Sequence, residues 1–176
     1  LAHSYGFSNL VLPLLLHGIP LFVLNSSLPE AVRQAATRVG PCTLPAVPAL
    51  WRAWHEAQAI SSNVKLAISA GAPLPLALEE AVFRHHGLKL HNFYGASECG
   101  GIAYDTTTAP RTDPACIGAP MRNVTLRVSD DGCLEVRSRA VGQTYRPTTD
   151  PSLADGCFRT SDLAELKDGC VYLRGR

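Results

Sequence analysis

The order of apolar and polar residues divides the chain into a first part with helix and strand spacings and a later part dominated by alternation. Near the start, Leu10–Leu24 is almost wholly apolar but is interrupted by Pro13 and Pro20. Because proline removes a backbone donor and breaks regular hydrogen bonding, this stretch predicts a buried helix followed by a short apolar strand at Leu21–Leu24.

Two amphipathic helices come next in the pattern. Apolar residues recur every three or four positions after Pro29, a residue favoured in the first turn of a helix, and Gly40 ends the run. A second apolar stripe with helical spacing consists of Leu50, Trp51, Trp54 and Ala57. This part of the chain therefore predicts helices that each bury one face.

A strand, a helix and a second strand are predicted in the following segment. Lys65–Ser69 has the pattern of a buried strand, which Gly71–Pro73 breaks. Leu74–His86 has helical spacing, and Gly87 provides a stop signal. Leu88–Phe93 then returns to a strand pattern. Such a unit normally places its two strands parallel in one sheet.

Beyond about residue 106 the pattern changes to short alternating runs separated by turn residues. Asp-Gly between two such runs is the strongest short hairpin signal, and it occurs twice. The predicted hairpins are Val124–Val128 with Cys133–Val136, around Asp131-Gly132, and Leu163–Lys167 with Cys170–Leu173, around Asp168-Gly169. We therefore expect an α/β region at residues 1–108 and a β-rich region, antiparallel and barrel-like, at residues 109–176.

Composition places the chain among soluble globular proteins. Hydrophobic residues make up 46% and charged residues 18%, which argues against a disordered, highly charged segment. The net charge is +1 and the basic residues are scattered, so the sequence does not predict a nucleic-acid-binding surface. No apolar run approaches the ~20 residues that cross a bilayer. The six cysteines include no C-x-x-C pair, so we expect free thiols in a cytoplasmic protein.

Two glycine-containing loops are the leading candidates for a ligand site. Ser69–Pro73 follows the first strand of the predicted unit, and Tyr94–Gly101 follows the second. In an open parallel sheet, ligands bind beyond the carboxyl ends of the strands. If the two strands are close in the sheet, these loops share one crevice.

The residue types in these loops suit a nucleotide. Gly71 and Ala72 lack bulk, so their backbone could lie flat against a planar ring. Tyr94 offers an aromatic face, Ser97 a hydroxyl for a phosphate and Glu98 a hard oxygen ligand for Mg²⁺. On composition alone, however, glycine-rich turns after strands are common, and Tyr94 could equally be a core aromatic.

Several short segments resemble one superfamily in its own order. Tyr94–Glu98 resembles the Tyr-Gly-x-Ser/Thr-Glu motif of adenylate-forming enzymes, which include acyl- and aryl-CoA synthetases, peptide-synthetase adenylation domains and luciferase-like enzymes. The other segments are Ala2–Gly6, similar to the aromatic-glycine motif beside the acyl pocket; Ser69–Leu74, similar to the segment beside adenine; Phe158–Leu163, similar to the Arg-Thr-Gly-Asp motif; and Val171–Arg176, similar to the strand ahead of the interdomain hinge. Together they span essentially the whole chain.

The resemblance implies roles for individual residues. Glu98 would hold Mg²⁺ and, with Ser97, form the catalytic group. The acyl pocket would be bordered by His3, Gly71 and Cys99. The residues implied to bind the nucleotide are Gly71, Ala72, Pro73, Tyr94, Gly95, Ser97, Asp162 and Arg176.

The same resemblance implies a reaction. A carboxylic acid would be joined to AMP at the expense of ATP and then passed to a thiol, with coenzyme A as the expected acceptor and an acyl-carrier protein as the alternative. The chain would be an internal fragment of the large N-terminal domain, cut at both ends, with fatty acid metabolism as its setting. A Lys-containing phosphate loop would lie upstream and a mobile lid downstream, so we expect the fragment alone to be inactive.

The chain departs from the superfamily pattern at three positions, and two other interpretations compete with it. Ser161 stands where glycine is usual, while Arg139 and Thr144 replace a proline and a glycine in the preceding motif. A non-catalytic α/β interaction module is one alternative, and it gives Glu98 no special role. A dinucleotide-binding oxidoreductase domain is the other, but no G-x-G-x-x-G pattern follows Ser69.

Overall fold

Short helices packed beside parallel strands, followed by a run of antiparallel hairpins, make up this computed structural model, which describes residues 3–176. The described chain forms two units. Residues 20–92 and 106–114 form the first, here called the helix-rich unit, and residues 3–19, 93–105 and 115–176 form the second, the hairpin unit. The two are described separately below.

The described residues contain these elements. The helices are α1 (Ser4–Gly6), a π-helical segment (Phe7–Val11), α2 (Leu12–His17), α3 (Pro29–Val39), α4 (Pro48–Glu56) and α5 (Leu76–His86). The strands are β1 (Cys42–Ala46), β2 (Val64–Ala70), β3 (Leu90–Ala96), β4 (Gly100–Tyr104), β5 (Cys116–Pro120), β6 (Thr125–Val128), β7 (Cys133–Arg137), β8 (Leu153–Ala154), β9 (Cys157–Lys167) and β10 (Cys170–Gly175).

The helix-rich unit is built around two tryptophans of α4. Strands β1 and β2 pair in parallel, and α4 packs against them. Trp51 is fully buried and donates its indole N–H to the carbonyl of Ile68 at 3.1 Å, while Trp54 donates to the carbonyl of Ser27 at 2.9 Å. Each ring therefore buries a large apolar area without leaving its polar atom unsatisfied. The predicted stripe is confirmed for Trp51 and Trp54, whereas Ala57 follows the helix as its C-cap and is exposed.

Glu79 of α5 is a charged residue of this unit that is fully buried. Its carboxylate accepts hydrogen bonds from the Lys89 ammonium, from the backbone N–H of Arg111 at 3.0 Å and from Arg111 Nε at 2.9 Å. Arg111 Nη2 also donates to the carbonyl of Leu74 at 2.8 Å. A buried charge is tolerated only when it is paired and hydrogen-bonded, and this network meets that condition.

Antiparallel strands form the hairpin unit, in the order β3-β4-β5-β10-β9-β7-β6, with β8 beside β9. Both predicted Asp-Gly hairpins are confirmed, as β6 with β7 and β9 with β10. Asp168 and Gly169 have φ angles of 51° and 75°, the two positive values that a type I′ turn requires. The core of the unit contains Cys99, Ile102, Ala103, Ile117, Leu134, Val136, Leu153, Phe158 and Val171.

The prediction for Leu10–Leu24 is wrong in two respects. The helix ends at His17, with Gly18 in a left-handed conformation, and it is exposed rather than buried: Leu15 and Leu16 are 68% and 69% exposed. No strand forms at Leu21–Leu24 among the described residues. Hydrophobicity alone does not make a strand, and this segment pairs with no neighbouring strand of the described chain.

The other predicted helices and strands are confirmed, and their ends differ from the prediction by a few residues. Helix α5 begins at Leu76 rather than Leu74, because Pro75 precedes it as the N-terminal cap. Gly87 ends that helix with a φ of 61°, as the stop signal predicts. The α/β class with parallel and then antiparallel pairing is confirmed. The functional division at residues 108 and 109 stays a prediction.

Two predictions made from composition can also be compared with the structure. All six cysteines are free thiols, as expected. Within residues 3–176, no helix combines the length and the apolar character that crossing a membrane requires.

Candidate active site

The turn at Gly71–Pro73 follows β2 in the helix-rich unit and is exposed. Gly71 has a φ of 84°, a conformation that favours glycine, and this turns the chain at the end of the strand. Just before the turn, the Ser69 hydroxyl is fully buried and has no hydrogen-bond partner among the described residues. Just after it, the carbonyl of Leu74 is held by Arg111. The turn is thus exposed to solvent, while Arg111 holds the residue that follows it.

Tyr94, Asp162 and Arg176 form a connected group in the hairpin unit. The Tyr94 hydroxyl donates to Asp162 Oδ2 at 2.5 Å, and Arg176 Nε donates to Asp162 Oδ1 at 2.6 Å. The backbone N–H of Asp162 donates to the hydroxyl oxygen of Thr160 at 3.1 Å. The carboxylate is largely buried within strand β9, whereas the Arg176 side chain is 79% exposed. Two of the carboxylate's lone-pair positions are engaged, which leaves others for a ligand.

Ionisation of Tyr94 is strongly disfavoured in this group. Burial, and then the hydrogen bond to Asp162, raise the pKa of the Tyr94 hydroxyl far above its usual value. Asp162 correspondingly raises the pKa of the Arg176 guanidinium. At neutral pH the tyrosine therefore remains a donor and fixes the orientation of both its own ring and the carboxylate.

The N-terminal helical segment contacts the turn that carries Ser97. The hydroxyls of Ser4 and Ser97 share a hydrogen bond at 2.8 Å, and the rings of Tyr5 and Phe93 meet edge to face with centroids 5.1 Å apart. His3 caps α1, where its Nδ1 accepts from the backbone N–H of Tyr5 at 3.3 Å. Ala2, the first residue of the matching motif, lies outside the described residues.

Glu98 is held by a loop that the sequence analysis did not connect with it. The Tyr145 hydroxyl donates to Glu98 Oε1 at 2.9 Å, and the backbone N–H of Gly142 donates to the Glu98 carbonyl at 2.7 Å. Burial and the Glu98 carboxylate raise the pKa of the Tyr145 hydroxyl, so it also remains a donor. Tyr145 is thus a site residue that sequence reasoning missed, because nothing in its local pattern indicates a partner in a distant turn.

An open cavity of about 670 Å³ adjoins Glu98 in the hairpin unit. Its lining combines carboxylates, a guanidinium and hydroxyls, contributed among others by Glu98, Asp131, Tyr145, Asp150, Arg159 and Ser161. Ser161, which replaces a glycine of the superfamily motif, lies in strand β9 with its side chain exposed. Apolar side chains, Phe158 and Pro151 among them, complete the lining, and the cavity is large enough for several phosphate oxygens and water molecules.

Gly95 and Cys99 are constrained by their surroundings in different ways, Gly95 as an exposed strand residue and Cys99 as a buried one. A Cβ atom on Gly95 would lie 2.6 Å from the carbonyl oxygen of Gly100, so glycine is required where β3 and β4 approach each other. Cys99 is 1% exposed and packs in the core of the unit. Burial raises the pKa of the Cys99 thiol to about 11.

We expect Cys99 to resist alkylation in the folded chain. Relative to an ordinary thiol pKa of about 8.5, a value of about 11 lowers the thiolate fraction by about two orders of magnitude near pH 8. Iodoacetamide labelling followed by mass spectrometry should show Cys99 reacting far more slowly than the partly exposed Cys133, with the difference lost in urea.

The same shift makes folding stability depend on pH in alkaline solution. Because the unfolded chain releases the Cys99 proton near pH 8.5 and the folded chain does so only near pH 11, this group should lower stability progressively between those values. Equal labelling of Cys99 and Cys133 in the folded chain would contradict the burial on which both expectations depend.

The structure distributes the predicted site residues over both units. Gly71, Ala72 and Pro73 belong to the helix-rich unit. The remaining residues belong to the hairpin unit: His3, Tyr94, Gly95, Ser97, Glu98, Cys99, Asp162 and Arg176. Within that unit the structure brings Tyr94, Asp162 and Arg176 together. That the loops after β2 and β3 share one crevice stays a prediction.

Comparison with known proteins identifies the family. Residues 1–146 match the sequence profile of the family described as AMP-binding enzyme. The chain belongs to the AMP-binding enzyme family. This membership confirms the resemblance to the adenylate-forming superfamily that the Tyr94–Glu98 motif predicts.

Individual members of the AMP-binding enzyme family resemble the chain in sequence and fold. A long-chain-fatty-acid–CoA ligase of Mycobacterium bovis is 35% identical over 88 residues, which are 49% of this chain and 14% of that protein. A benzoate CoA ligase from Burkholderia xenovorans superposes with a TM-score of 0.83 at 20% identity, over 98% of this chain and 39% of that one. An acyl-CoA synthetase of Brucella canis gives a TM-score of 0.81 at 22% identity, covering 98% of this chain and 36% of its own.

These structural neighbours show the fold, and the coverage shows how much of the family's architecture is present. The chain spans 14% of the curated relative and between about a third and two fifths of the solved neighbours. One neighbour, an anthranilate CoA ligase, was solved in complex with anthranoyl-AMP, and it superposes with a TM-score of 0.82 at 21% identity over 98% of this chain and 37% of that one.

Proposed function

We propose that this chain is part of an ATP-dependent ligase that joins a carboxylic acid to a thiol through an acyl-AMP intermediate. The observation that carries the proposal is the pairing of Asp162 with Tyr94 and Arg176. A shielded carboxylate that keeps free lone pairs is a strong acceptor for the two hydroxyls of a ribose. Tyr94 and Arg176 hold that acceptor in one orientation before a nucleotide arrives.

The remaining nucleotide contacts follow from the family resemblance. Gly71, Ala72 and Pro73 would flank the adenine, and the ring of Tyr94 would stack on it. Gly95 would allow backbone to approach, and Ser97 would contact the phosphate. The exposure of the Gly71–Pro73 turn and the fixed orientation of Tyr94 support these assignments.

Glu98 fits the chemistry of a magnesium ligand. Mg²⁺ prefers one or two carboxylates together with phosphate oxygens and water. Glu98 adjoins an open cavity that also contains carboxylates and hydroxyls, and Tyr145 engages only one of the Glu98 oxygens. In the described chain no three His, Cys, Asp or Glu side chains are grouped to hold a metal ion, so this ion would share its ligands with the nucleotide. When bound, it would offset the charge of the phosphates.

Two half-reactions account for the proposed activity. A carboxylate oxygen attacks the α-phosphorus of ATP, a P–O bond forms, and pyrophosphate leaves to give acyl-AMP. A thiolate then attacks the acyl carbon, a C–S bond forms, and AMP departs. Tyr94, Asp162 and Arg176 would hold the adenosine so that the reacting atoms meet in line, which lowers the entropic cost of the first step.

The substrates are proposed from the family and from its members. His3, Gly71 and Cys99 would border the acyl pocket, and the long-chain-fatty-acid–CoA ligase among the relatives supports a fatty acid as the carboxylate. Coenzyme A is the proposed acceptor, with an acyl-carrier protein as the alternative. The nucleotide and acyl contacts would lie mainly in residues 1–108 and the cytoplasm would be the setting, while residues 109–176 would lead to the hinge of a lid.

Carboxylate-dependent ATP–pyrophosphate exchange tests the proposal. In a full-length protein that contains this chain, we expect exchange, and we expect Glu98→Ala to lower its rate by about 10²–10³-fold, as loss of one preorganised electrostatic group commonly does. Tyr145→Phe should cause a smaller loss that additional Mg²⁺ partly restores, because the Glu98 carboxylate remains. The 176-residue chain alone should bind AMP weakly and show no exchange.

Glu80→Ala is the matched control, because Glu80 is an exposed glutamate of α5. It should leave the exchange rate unchanged. If Glu98→Ala is as active as the Glu80→Ala control, the chain is better described as a non-catalytic α/β interaction module.

A further inference from the structure

Three histidines meet on the surface of the helix-rich unit, and none of them is assigned to the nucleotide or acyl site. His55 lies in the last turn of α4, and His85 and His86 lie in the last turn of α5. The His55 ring is 5.1 Å from the His85 ring and 5.4 Å from the His86 ring, measured between centroids, and both pairs meet edge to face. Helix C-termini favour such residues singly, but this does not explain why three imidazoles converge.

The closest approach is between two ring nitrogens. His55 Nδ1 and His86 Nε2 are 3.3 Å apart and share a hydrogen bond, so one of them carries the proton and the other accepts it. Two bonds of about 2.0–2.1 Å at a tetrahedral angle place their nitrogens about 3.3–3.4 Å apart, which is the geometry of Zn²⁺ bound by two histidines. The observed separation therefore already matches that of a shared metal ion.

We propose that His55 and His86 bind one divalent transition-metal ion, such as Zn²⁺, between helices α4 and α5. The donating ring changes tautomer, so that its proton moves to its other ring nitrogen by exchange with water, and each ring turns by about 35° so that both lone pairs point to the metal. Within the described residues no three His, Cys, Asp or Glu side chains are placed to hold one metal ion together, so water completes the coordination of the His55–His86 pair. The proposed metal site shares no residue with the proposed magnesium site or with the proposed nucleotide contacts.

His85 stands beside the pair without being one of the two proposed ligands. Its Nδ1 is 2.9 Å from the carbonyl oxygen of Ala81, so its own helix fixes that ring. The His85 ring is therefore a fixed neighbour of the His55 ring, 5.1 Å away between centroids.

A metal ion at this position would join the C-terminal ends of two helices that contact each other directly. Because the folded chain presents both ligands at a fixed separation and the unfolded chain does not, binding should stabilise the fold in proportion to the logarithm of the metal concentration. The role would therefore be structural, and it does not depend on the proposed ligase activity.

Calorimetric titration of the chain, prepared without a polyhistidine tag, with Zn²⁺ tests the inference. We expect one ion per chain, a rise in the thermal unfolding midpoint, and an affinity at least tenfold lower in His55→Ala and in His86→Ala. His17→Ala is the matched control, because His17 is exposed at the end of α2 in the other unit, and it should bind as the unmodified chain does. His85→Ala should keep most of the affinity, because His85 is not one of the two ligands, and loss of binding in His85→Ala with normal binding in His55→Ala and His86→Ala would contradict the site.

The free cysteines offer the competing explanation, and cobalt distinguishes it. Co²⁺ bound to thiolates gives an intense near-ultraviolet charge-transfer band, whereas imidazole ligands give only weak visible absorption. Thiolate absorption at one equivalent of Co²⁺, or undiminished Zn²⁺ affinity in both His55→Ala and His86→Ala, would overturn the inference.

Discussion

Replacing Glu79 by alanine should destabilise the helix-rich unit by about 3–5 kcal/mol, because it leaves the buried charges of Lys89 and Arg111 without their shared carboxylate. The three side chains are all nearly inaccessible to water. Removing one partner of a buried ion pair costs far more than the pair contributes, since the remaining charges cannot be resolvated without opening the fold. Urea unfolding followed by tryptophan fluorescence measures the effect, because Trp51 and Trp54 lie in the same core.

Glu80 provides the control for this substitution. It is the next residue of the same helix and is exposed, so Glu80→Ala changes the same side chain to the same product with an expected effect within about 0.5 kcal/mol. A triple variant, with methionine at Glu79, Lys89 and Arg111, should recover part of the loss because no buried charge remains. Equal stability of Glu79→Ala and Glu80→Ala would contradict the network.

The same network connects stability with the candidate site. Arg111 holds Glu79 through its Nε and the carbonyl of Leu74 through Nη2, one residue after the Gly71–Pro73 turn. Loss of Glu79 should therefore loosen the turn proposed to flank adenine before the unit unfolds globally. Hydrogen exchange at Leu78, whose N–H donates to the carbonyl of Pro75 at 3.2 Å just after the turn, would reveal that local opening as faster exchange in Glu79→Ala at low denaturant.

Local sequence patterns predicted the elements whose causes are themselves local. Helix α3 begins at Pro29 and stops before Gly40, and both Asp-Gly hairpins form, because proline geometry and positive φ angles act within a few residues. Leu21–Leu24 shows the limit of this reasoning. A strand needs a neighbour to pair with, and the composition of a segment does not specify one.

The sequence predicted the residues of the candidate site that belong to a recognisable motif, but not the contacts between them. The Tyr94–Glu98 motif led to the family, but the partners of those residues lie far along the chain: Asp162 is 68 residues from Tyr94 and Tyr145 is 47 residues from Glu98. Glu79 and Arg111, which are 32 residues apart, show the same limit for the core. Such pairs depend on tertiary contacts, which no local periodicity records.

Gly118→Ala should be the most disruptive substitution in the hairpin unit. Gly118 lies in β5 with a φ of 117°, a conformation that side chains rarely adopt and that costs about 1–3 kcal/mol for other residues. A Cβ atom there would also lie 2.3 Å from the carbonyl oxygen of Tyr104 and 2.5 Å from the backbone nitrogen of Asp105. Because both atoms belong to backbone, relief requires that β5 separate from the end of β4.

The expected loss exceeds about 4 kcal/mol, since overlap with backbone adds to the conformational cost. Gly156→Ala separates the two causes, because Gly156 has a φ of 68° but open space around its Cβ position. It should lose only about 1–2 kcal/mol, the usual cost of a left-handed residue. Urea unfolding followed by far-ultraviolet circular dichroism gives both values, and similar losses in the two variants would contradict the overlap.

Strand β4 connects Gly118 with the candidate site. That strand pairs with β5 at Tyr104 and with β3 at Tyr94, and it begins directly after Cys99 and Glu98. Separation of β5 from β4 should therefore expose the Cys99 thiol and accelerate its alkylation in Gly118→Ala, while Gly156→Ala leaves the rate near that of the unmodified chain. Because Cys99 adjoins Glu98 in the turn, faster labelling would mean that the close approach at Gly118 also maintains the geometry of the proposed metal ligand.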